Sequence, residues 1–187
     1  EINRNNLLQD IKEVIEKEQV LIVAGEGGVG KTAVIKKLYE NMSLNTPFYI
    51  FKSSEFEITN INNLFDGYSF IDFVNIHQKD EKKLVVIDSA EKILDLERTD
   101  AFNEFISTLI KNRWKIIFTA RSNYLTDLDM QFIDHYKVKP IKFFIEALPM
   151  EELTDYALKY QFDLPTDNKL LDLLKNPFYL SEYLRFY

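Results

Sequence analysis

The sequence contains no cysteine, two histidines and only 5 glycines among 187 residues. Without cysteine, neither a disulfide framework nor a cysteine-ligated metal site can form. The histidines, His77 and His135, do not show a metal-ligand spacing, so we interpret them as ordinary surface or half-buried side chains. No apolar run approaches the ~18 residues that a membrane-spanning helix needs, so we expect no membrane partner.

Positive charge is also scarce, since 23 Lys and Arg face 30 Asp and Glu, which leaves a net charge of −7. A nucleic-acid binder needs a basic face to neutralise phosphates, so we expect no nucleic-acid partner for this piece. The chain begins at Glu1 rather than at a methionine, no signal-like segment precedes it, and it stops abruptly at Tyr187. We expect a cytoplasmic piece of a larger protein.

Short apolar runs alternate with helical patterns along the first 148 residues. The runs that predict strands are Val20–Ala24, 47–52, Leu84–Asp88, Lys115–Ala120 and 140–148. Helical spacing covers Asn5–Lys17 and Lys31–Met42, and a further helix follows Asp100, which we expect to be its N-cap. Residues 58–77 predict helical pieces broken near Asp66 and Gly67. This alternation predicts an α/β fold in which helices cover both faces of a mainly parallel, five-stranded sheet.

Only helical patterns follow residue 148. They cover Met150–Tyr160, Asn168–Leu174 and the residues from Pro177 onward, and both Pro149 and Pro177 suit a first helical turn. We therefore divide the chain into a domain over residues 1–148, which includes the N-terminal helix, and a small, truncated helical unit over 149–187.

Four of the five glycines lie within the six positions 25–30. The segment reads Gly25-Glu26-Gly27-Gly28-Val29-Gly30-Lys31-Thr32, followed by Ala33, and it fits the phosphate-loop pattern G-x-x-x-x-G-K-[ST]. Glycines let backbone N–H groups wrap a phosphate chain, and the helix N-terminus that follows favours anions. We expect residues 25–33 to bind a nucleotide, Lys31 to reach its β- and γ-phosphates, and Thr32 to bind Mg²⁺.

The alternative is a glycine-rich turn with a chance lysine. The flanks favour nucleotide binding, because a buried strand ends at Ala24 and a helix begins at Lys31.

A second acidic ligand for Mg²⁺ is expected at the end of a neighbouring buried strand, and Asp88 follows four apolar residues in LVVID. Its alternative is a turn or cap aspartate. Glu91 lies three residues later and could act as a general base toward the attacking water, or be a solvated residue of a first helical turn.

Another strand ends in Thr119, Ala120 and Arg121. Because the carboxyl ends of parallel strands face the ligand crevice, Thr119 and Arg121 could sense the γ-phosphate, and Arg121 could stabilise transition-state charge. The alternative is an exposed arginine that pairs with a nearby acid.

These motifs together resemble the nucleotide-binding domain of STAND-type ATPases, the AAA+-related class that includes NACHT and NB-ARC proteins. GEGGVGKT resembles their Walker A motif, LVVIDSAEK their Walker B motif with Glu91 in the place of its second acid, and IIFTARS their sensor-1 strand. LKNPFYLSEYL resembles the lid motif whose proline, here Pro177, packs on adenine. INRNNLLQDI is similar to the segment whose arginine, here Arg4, helps to hold the base, although Asn3 replaces the usual glycine.

The resemblance implies a P-loop NTPase with three αβα layers, followed by the start of a helical lid. It implies ATP and ADP with Mg²⁺ as ligands, catalytic roles for Lys31, Glu91 and Arg121, and a switch in which ADP/ATP exchange controls conformation. The partners it implies are other domains of the full-length protein and further copies in an ATP-bound homo-oligomer. Adenine is preferred by resemblance, and no guanine-reading N-K-x-D is present.

Three other functions use the same phosphate loop. They are a module that retains nucleotide without turnover, a small-molecule kinase, and an AAA+ subunit of a nucleic-acid motor. The acidic and aromatic segment after the fifth strand disfavours the kinase, which needs an arginine-rich lid, and the negative net charge disfavours the motor.

Overall fold

Five parallel strands form the centre of the molecule, for which a computed structural model describes residues 5–186. The strands are β1 (Val20–Ala24), β2 (Phe48–Lys52), β3 (Leu84–Asp88), β4 (Lys115–Ala120) and β5 (Ile141–Phe144). Their order across the sheet is β2-β3-β4-β1-β5, and every neighbouring pair is parallel. The predicted parallel, five-stranded sheet is therefore confirmed.

The three inner strands consist mainly of apolar residues because both of their faces are covered. All five residues of β1 are buried, as are four of the five in β3 and five of the six in β4. The edge strands β2 and β5 are partly exposed. β5 is also shorter than the predicted segment 140–148, although Ile145 still donates its N–H to the Ala24 carbonyl at 2.7 Å.

Eight α-helices accompany the sheet in the described part of the chain. They are α1 (Asn5–Lys17), α2 (Lys31–Met42), α3 (Phe70–Ile76), α4 (Asp100–Lys111), α5 (Leu125–Gln131), α6 (Met150–Tyr160), α7 (Asn168–Leu174) and α8 (Pro177–Arg185). Alternate strand residues point to opposite faces. Leu21 and Val23 join the apolar cluster of α1 and α2, whereas Val20 and Ile22 join the cluster of α3, α4 and α5. The result is the predicted three-layer αβα arrangement.

Two details of the helix starts differ from the sequence prediction. α4 begins at Asp100 itself, and the N-cap is Thr99, so the prediction of an Asp100 cap was wrong by one residue. In the first turn, Asp100 is still well placed, because a carboxylate there interacts favourably with the helix dipole. Pro177 is in the first turn of α8 as predicted, whereas Pro149 is the residue that precedes α6. The predicted break near Asp66 is present, with Gly67 at φ 81°.

The last three helices pack around an apolar cluster of their own. Its buried members are Leu148, Leu153, Tyr156, Ala157, Phe162, Leu174 and Leu180. Leu148 connects this unit to the end of the sheet, and its N–H donates to the Lys175 carbonyl at 2.7 Å. We refer to residues 149–186 as the lid; the domain boundary at residue 148 stays a prediction.

Between residues 5 and 186, no helix is both long enough and apolar enough to cross a membrane.

Candidate nucleotide-binding site

The carboxyl ends of β1, β4 and β3 lie side by side and bring the predicted polar residues together. β1 pairs with β4 over its whole length, from Val20 to Ala24. β3 pairs with the other side of β4, where Ile87 lies opposite Phe118. Lys31 lies close enough to Glu91, Arg121 and Asp88 for each of these charges to influence its ionisation. The four charged residues that the sequence assigned to catalysis and metal binding therefore meet at one edge of the sheet.

The phosphate loop connects the end of β1 to the start of α2. Gly25 donates its N–H to the Ala120 carbonyl at 3.2 Å, and Gly30, with φ 95°, is the N-cap of α2. The first N–H groups of a helix have no acceptor within the helix. The N–H groups of Lys31, Thr32 and Ala33 therefore begin α2 in the arrangement that binds anions elsewhere.

Two glycines of the loop are required by close contacts within the protein. A Cβ atom at Gly25 would lie 2.5 Å from the carbonyl oxygen of Ile145, and one at Gly28 would lie 2.6 Å from Oδ1 of Asn176. A Cβ at Gly27 would meet no atom within 4 Å. The prediction that the glycines make room for phosphates thus leaves out part of their role, since Gly25 and Gly28 also admit neighbouring protein atoms.

The other loop residues divide into a buried anchor and an exposed rim. Val29 is 1% exposed and packs its side chain into the cluster of α1 and α2. Glu26, Thr32 and Ala33 are exposed, so their backbone or hydroxyl groups are open to a ligand.

The Lys31 ammonium folds back over the loop. Its Nζ donates to the carbonyls of Gly25 at 2.8 Å and Glu26 at 2.9 Å. Burial lowers the pKa of Lys31 below its ordinary value; the Glu91 carboxylate acts in the opposite direction, and the Arg121 guanidinium lowers the pKa further. An anion in the loop would favour the charged form of this lysine, because an opposite charge nearby offsets the cost of burial.

The Asp88 carboxylate is held by Thr119 on the neighbouring strand. The Thr119 hydroxyl donates to Asp88 Oδ1 at 2.5 Å and accepts the Ser89 N–H at 2.9 Å. Ser53 adds a hydrogen bond from its hydroxyl to the Asp88 carbonyl oxygen at 3.1 Å. The sequence analysis interpreted Thr119 only as a phosphate sensor and did not identify Ser53. The signal that could have revealed these partners of Asp88 is a polar residue at the end of an apolar strand.

Glu91 and Arg121 form a pair beside the loop. The Arg121 backbone N–H donates to Glu91 Oε2 at 3.3 Å, and its side-chain Nε lies 3.7 Å from Glu91 Oε1. The Glu91 side chain is 15% exposed, whereas that of Arg121 is 60% exposed. Both carboxylate oxygens of Glu91 thus face Arg121, which is the pairing with a nearby acid that the sequence left open.

A cavity of about 720 Å³ opens beside the loop and is lined on its far side by the lid. Thr32 and Ala33 line its phosphate-loop side, and Leu8 on α1 forms another wall. The lid contributes Pro177, together with the rings of Tyr156 and Tyr160, which stack with their centroids 6.1 Å apart. Arg4, predicted to contact the base, lies outside the described residues.

The residues predicted to hold Mg²⁺ suit that ion. Among residues 5–186, no group of three or more His, Asp or Glu side chains could hold a metal ion alone. Mg²⁺ usually binds one or two carboxylates together with water and substrate phosphates. Thr32 offers a hydroxyl and Asp88 a carboxylate, so the donors fit an ion that is shared with a phosphate chain.

The fold and this site define the class of the protein, a P-loop NTPase with three αβα layers. The family described as novel STAND NTPase 3 (nSTAND3) matches the chain over residues 3–156. The chain therefore belongs to the nSTAND3 family. A comparison with curated proteins finds no significant match.

Three solved structures illustrate the fold. The Walker-type ATPase PABY2304 of Pyrococcus abyssi has a TM-score of 0.66 at 15% identity, with 99% of this chain and 68% of that chain covered. The Aeropyrum pernix ORC2 protein in its ADP form has a TM-score of 0.58 at 14% identity, with 94% of this chain and 57% of that chain covered. AMPPCP-bound DnaA from Aquifex aeolicus has a TM-score of 0.57 at 19% identity, with 91% of this chain and 56% of that chain covered. The chain thus spans just over half the length of the latter two, and the likeness shows the fold.

Proposed function

We propose that this chain binds ATP and ADP with Mg²⁺, hydrolyses ATP, and serves as the nucleotide-operated part of a conformational switch. The observation that carries the proposal is the meeting of Lys31, Asp88, Glu91 and Arg121 at the mouth of the loop. The nSTAND3 match and the ADP and AMPPCP forms of the structural neighbours support nucleotide binding.

The phosphates would lie against the N–H groups of residues 25–33, with Lys31 beside the β- and γ-phosphates. Thr32 and Asp88 would hold Mg²⁺, which neutralises phosphate charge when it is bound. The nucleoside would enter the cavity under the lid, where Pro177 and the ring of Tyr160 offer apolar contact. Arg4 stays a proposed contact to the base.

For turnover, Glu91 would accept a proton from the attacking water as the water oxygen bonds to the γ-phosphorus and the bond to the β–γ bridging oxygen breaks. Arg121 would stabilise the charge that develops on the γ-phosphoryl oxygens. Thr119 keeps the Asp88 carboxylate in place through a 2.5 Å hydrogen bond.

A switch requires different affinities for two conformations. Arg121 and the lid are the parts that would differ between ATP and ADP, because Arg121 would lie beside the γ-phosphate and the lid would cover the nucleoside. ATP would then support contacts with other domains of the full-length protein, and with further copies of it, in the cytoplasm.

A second candidate is a module that retains nucleotide without turnover. The observation that favours it is the engagement of both Glu91 oxygens by Arg121. In this arrangement the carboxylate oxygens that would accept a proton from water face Arg121 instead.

Two variants test the proposal, with isothermal titration for binding and phosphate release for turnover. We expect Lys31→Ala to abolish ATP and ADP binding, and Glu91→Gln to retain binding but lose turnover. The controls are Lys36→Ala and Glu40→Gln, exposed residues on α2 outside the cavity, which should behave like the wild type.

The possible outcomes separate the candidates. A wild-type protein that binds nucleotide but releases no phosphate supports the retaining module. Normal hydrolysis by the Glu91→Gln variant removes Glu91 from the mechanism. A wild type that binds neither ATP nor ADP contradicts both candidates.

A further inference from the structure

The lid contacts the phosphate loop through the loop's carbonyl groups. Asn176 Nδ2 donates to the Gly27 carbonyl at 2.7 Å, and the Phe178 N–H donates to the Gly28 carbonyl at 3.2 Å. Asn176 and Gly27 are 149 residues apart in the chain, so these hydrogen bonds join two distant segments. They act on the part of the loop where a nucleotide's phosphates would bind.

Asn176 uses both ends of its side-chain amide. While Nδ2 donates to the loop, Oδ1 accepts the Phe178 N–H at 3.0 Å and caps the N-terminus of α8. The side chain is therefore held between the helix that begins the last part of the lid and the glycines of the loop.

The close approach of Asn176 depends on Gly28. A Cβ at position 28 would lie 2.6 Å from Asn176 Oδ1 and 2.9 Å from Phe178 Cβ. Real Cβ contacts are not this short, so any side chain at position 28 would push the lid away from the loop. The glycine thus serves the lid as well as the phosphate side of the loop.

A hydrogen bond to a carbonyl also orients the next N–H group. The peptide unit is planar and trans, so its C=O and N–H point in opposite directions. When the lid holds the carbonyls of Gly27 and Gly28 on one side, the N–H groups of Gly28 and Val29 are turned to the other side, away from the lid. The loop amides that would bind phosphates are therefore oriented by contacts made from the lid.

We propose that Asn176 is a positioning residue that orients the Gly28 and Val29 amides and so couples the position of the lid to the binding of nucleotide phosphates. This inference rests on the proposed nucleotide binding and deepens it, because it identifies the contact through which a bound nucleotide influences the lid.

The Asn176→Ser variant tests the inference without removing the helix cap. Serine is a good N-cap residue, but its side chain is one bond shorter and cannot reach Gly27 in the same way. The matched control is Asp167→Ser. Asp167 caps a different lid helix, α7, by accepting the Leu170 N–H at 2.8 Å. Within residues 5–186, no hydrogen bond joins Asp167 to the phosphate loop.

The first measurement is the dissociation rate of a fluorescent N-methylanthraniloyl-ADP with Mg²⁺ in stopped flow. We expect Asn176→Ser to dissociate about three- to tenfold faster than the wild type, as the loss of one positioned hydrogen bond implies. Asp167→Ser should keep the wild-type rate, and the two serine variants should have the same melting temperature.

The second measurement needs no nucleotide. In hydrogen exchange with labelling times from milliseconds, Asn176→Ser should exchange the amides of residues 26–30 several-fold faster than the wild type, whereas Asp167→Ser should not. A role limited to capping α8 would leave these amides unchanged.

The two measurements distinguish failure of the inference from failure of the proposed function. If Asn176→Ser matches the wild type in dissociation rate while the wild type binds the ADP probe, the inference is overturned and the proposed function stands. If the wild type does not bind the probe, the proposed function fails. If the amides of residues 26–30 then exchange at the wild-type rate in Asn176→Ser, the proposal that Asn176 positions the loop is overturned as well.

Discussion

At the scale of single residues, Thr119 is a buried polar side chain in the next-to-last position of the mainly apolar strand β4. It is 1% exposed, and its hydroxyl both donates to Asp88 and accepts the N–H of Ser89. A buried polar group left without a partner costs more than an ordinary hydrogen bond contributes. The hydroxyl therefore stabilises the fold and positions a carboxylate through the same contacts.

We predict that Thr119→Val lowers the free energy of unfolding by about 1–3 kcal/mol, because the Ser89 N–H loses its acceptor and Asp88 loses a donor. Thr119→Ser keeps the hydroxyl and is the matched control, with a smaller loss from the missing methyl group. Urea denaturation measures both. A valine variant as stable as the wild type would show that these hydrogen bonds do not stabilise the fold.

At the scale of secondary structure elements, the turn from β1 into α2 is confined by the residue that follows β5. The Gly25 Cα lies so close to the chain after β5 that a Cβ would lie 2.5 Å from the Ile145 carbonyl oxygen and 2.9 Å from Val29 Cγ2. A backbone atom cannot move away as a flexible side chain can. Gly27, two residues further on, has open space around it.

This contrast gives a matched pair of substitutions. Gly25→Ala should lower the free energy of unfolding by about 1–3 kcal/mol, the usual cost of forcing atoms into a packed site. Gly27→Ala should change it by no more than about 0.5 kcal/mol. Thermal and urea unfolding of the two variants would decide the point, and equal stability would contradict the predicted clash.

At the scale of the whole molecule, residues 5–186 contain three apolar clusters, one on each face of the sheet and one inside the lid. The cavity lies between the second and third of these, since Leu8 and Val34 line one side and Leu180 and Leu184 line another. A ligand in this cavity would contact both the sheet unit and the lid, so we expect it to stabilise both.

We predict that ADP with Mg²⁺ at 100 times its dissociation constant raises the free energy of unfolding by about 2.7 kcal/mol, the value that mass action gives for one site on the folded state. Chelation of Mg²⁺ should reduce the gain, and Lys31→Ala should remove it. Calorimetry with and without nucleotide provides the measurement. A melting temperature that does not respond to nucleotide would argue against binding in this cavity.

Most of the architecture could be predicted from local patterns. The bounds of β1, β3, β4 and α2 agree with the structure, because fully apolar runs and helical spacing are strong local signals. The end of β5 and the cap of α4 could not be placed to the residue. An edge strand ends where its pairing ends, and helix starts are uncertain by a residue or two in sequence patterns.

The phosphate loop, the strand that precedes it and the acid at the end of β3 could be predicted without a structure, because these signals lie in contiguous residues. Three contacts became visible only in the folded chain: Thr119 holds Asp88, Glu91 faces Arg121, and Asn176 reaches the loop at Gly27. Each of these contacts joins residues about 30 to 150 positions apart. Such pairs meet through strand order and lid packing, which leave no periodicity or spacing in the sequence to be read.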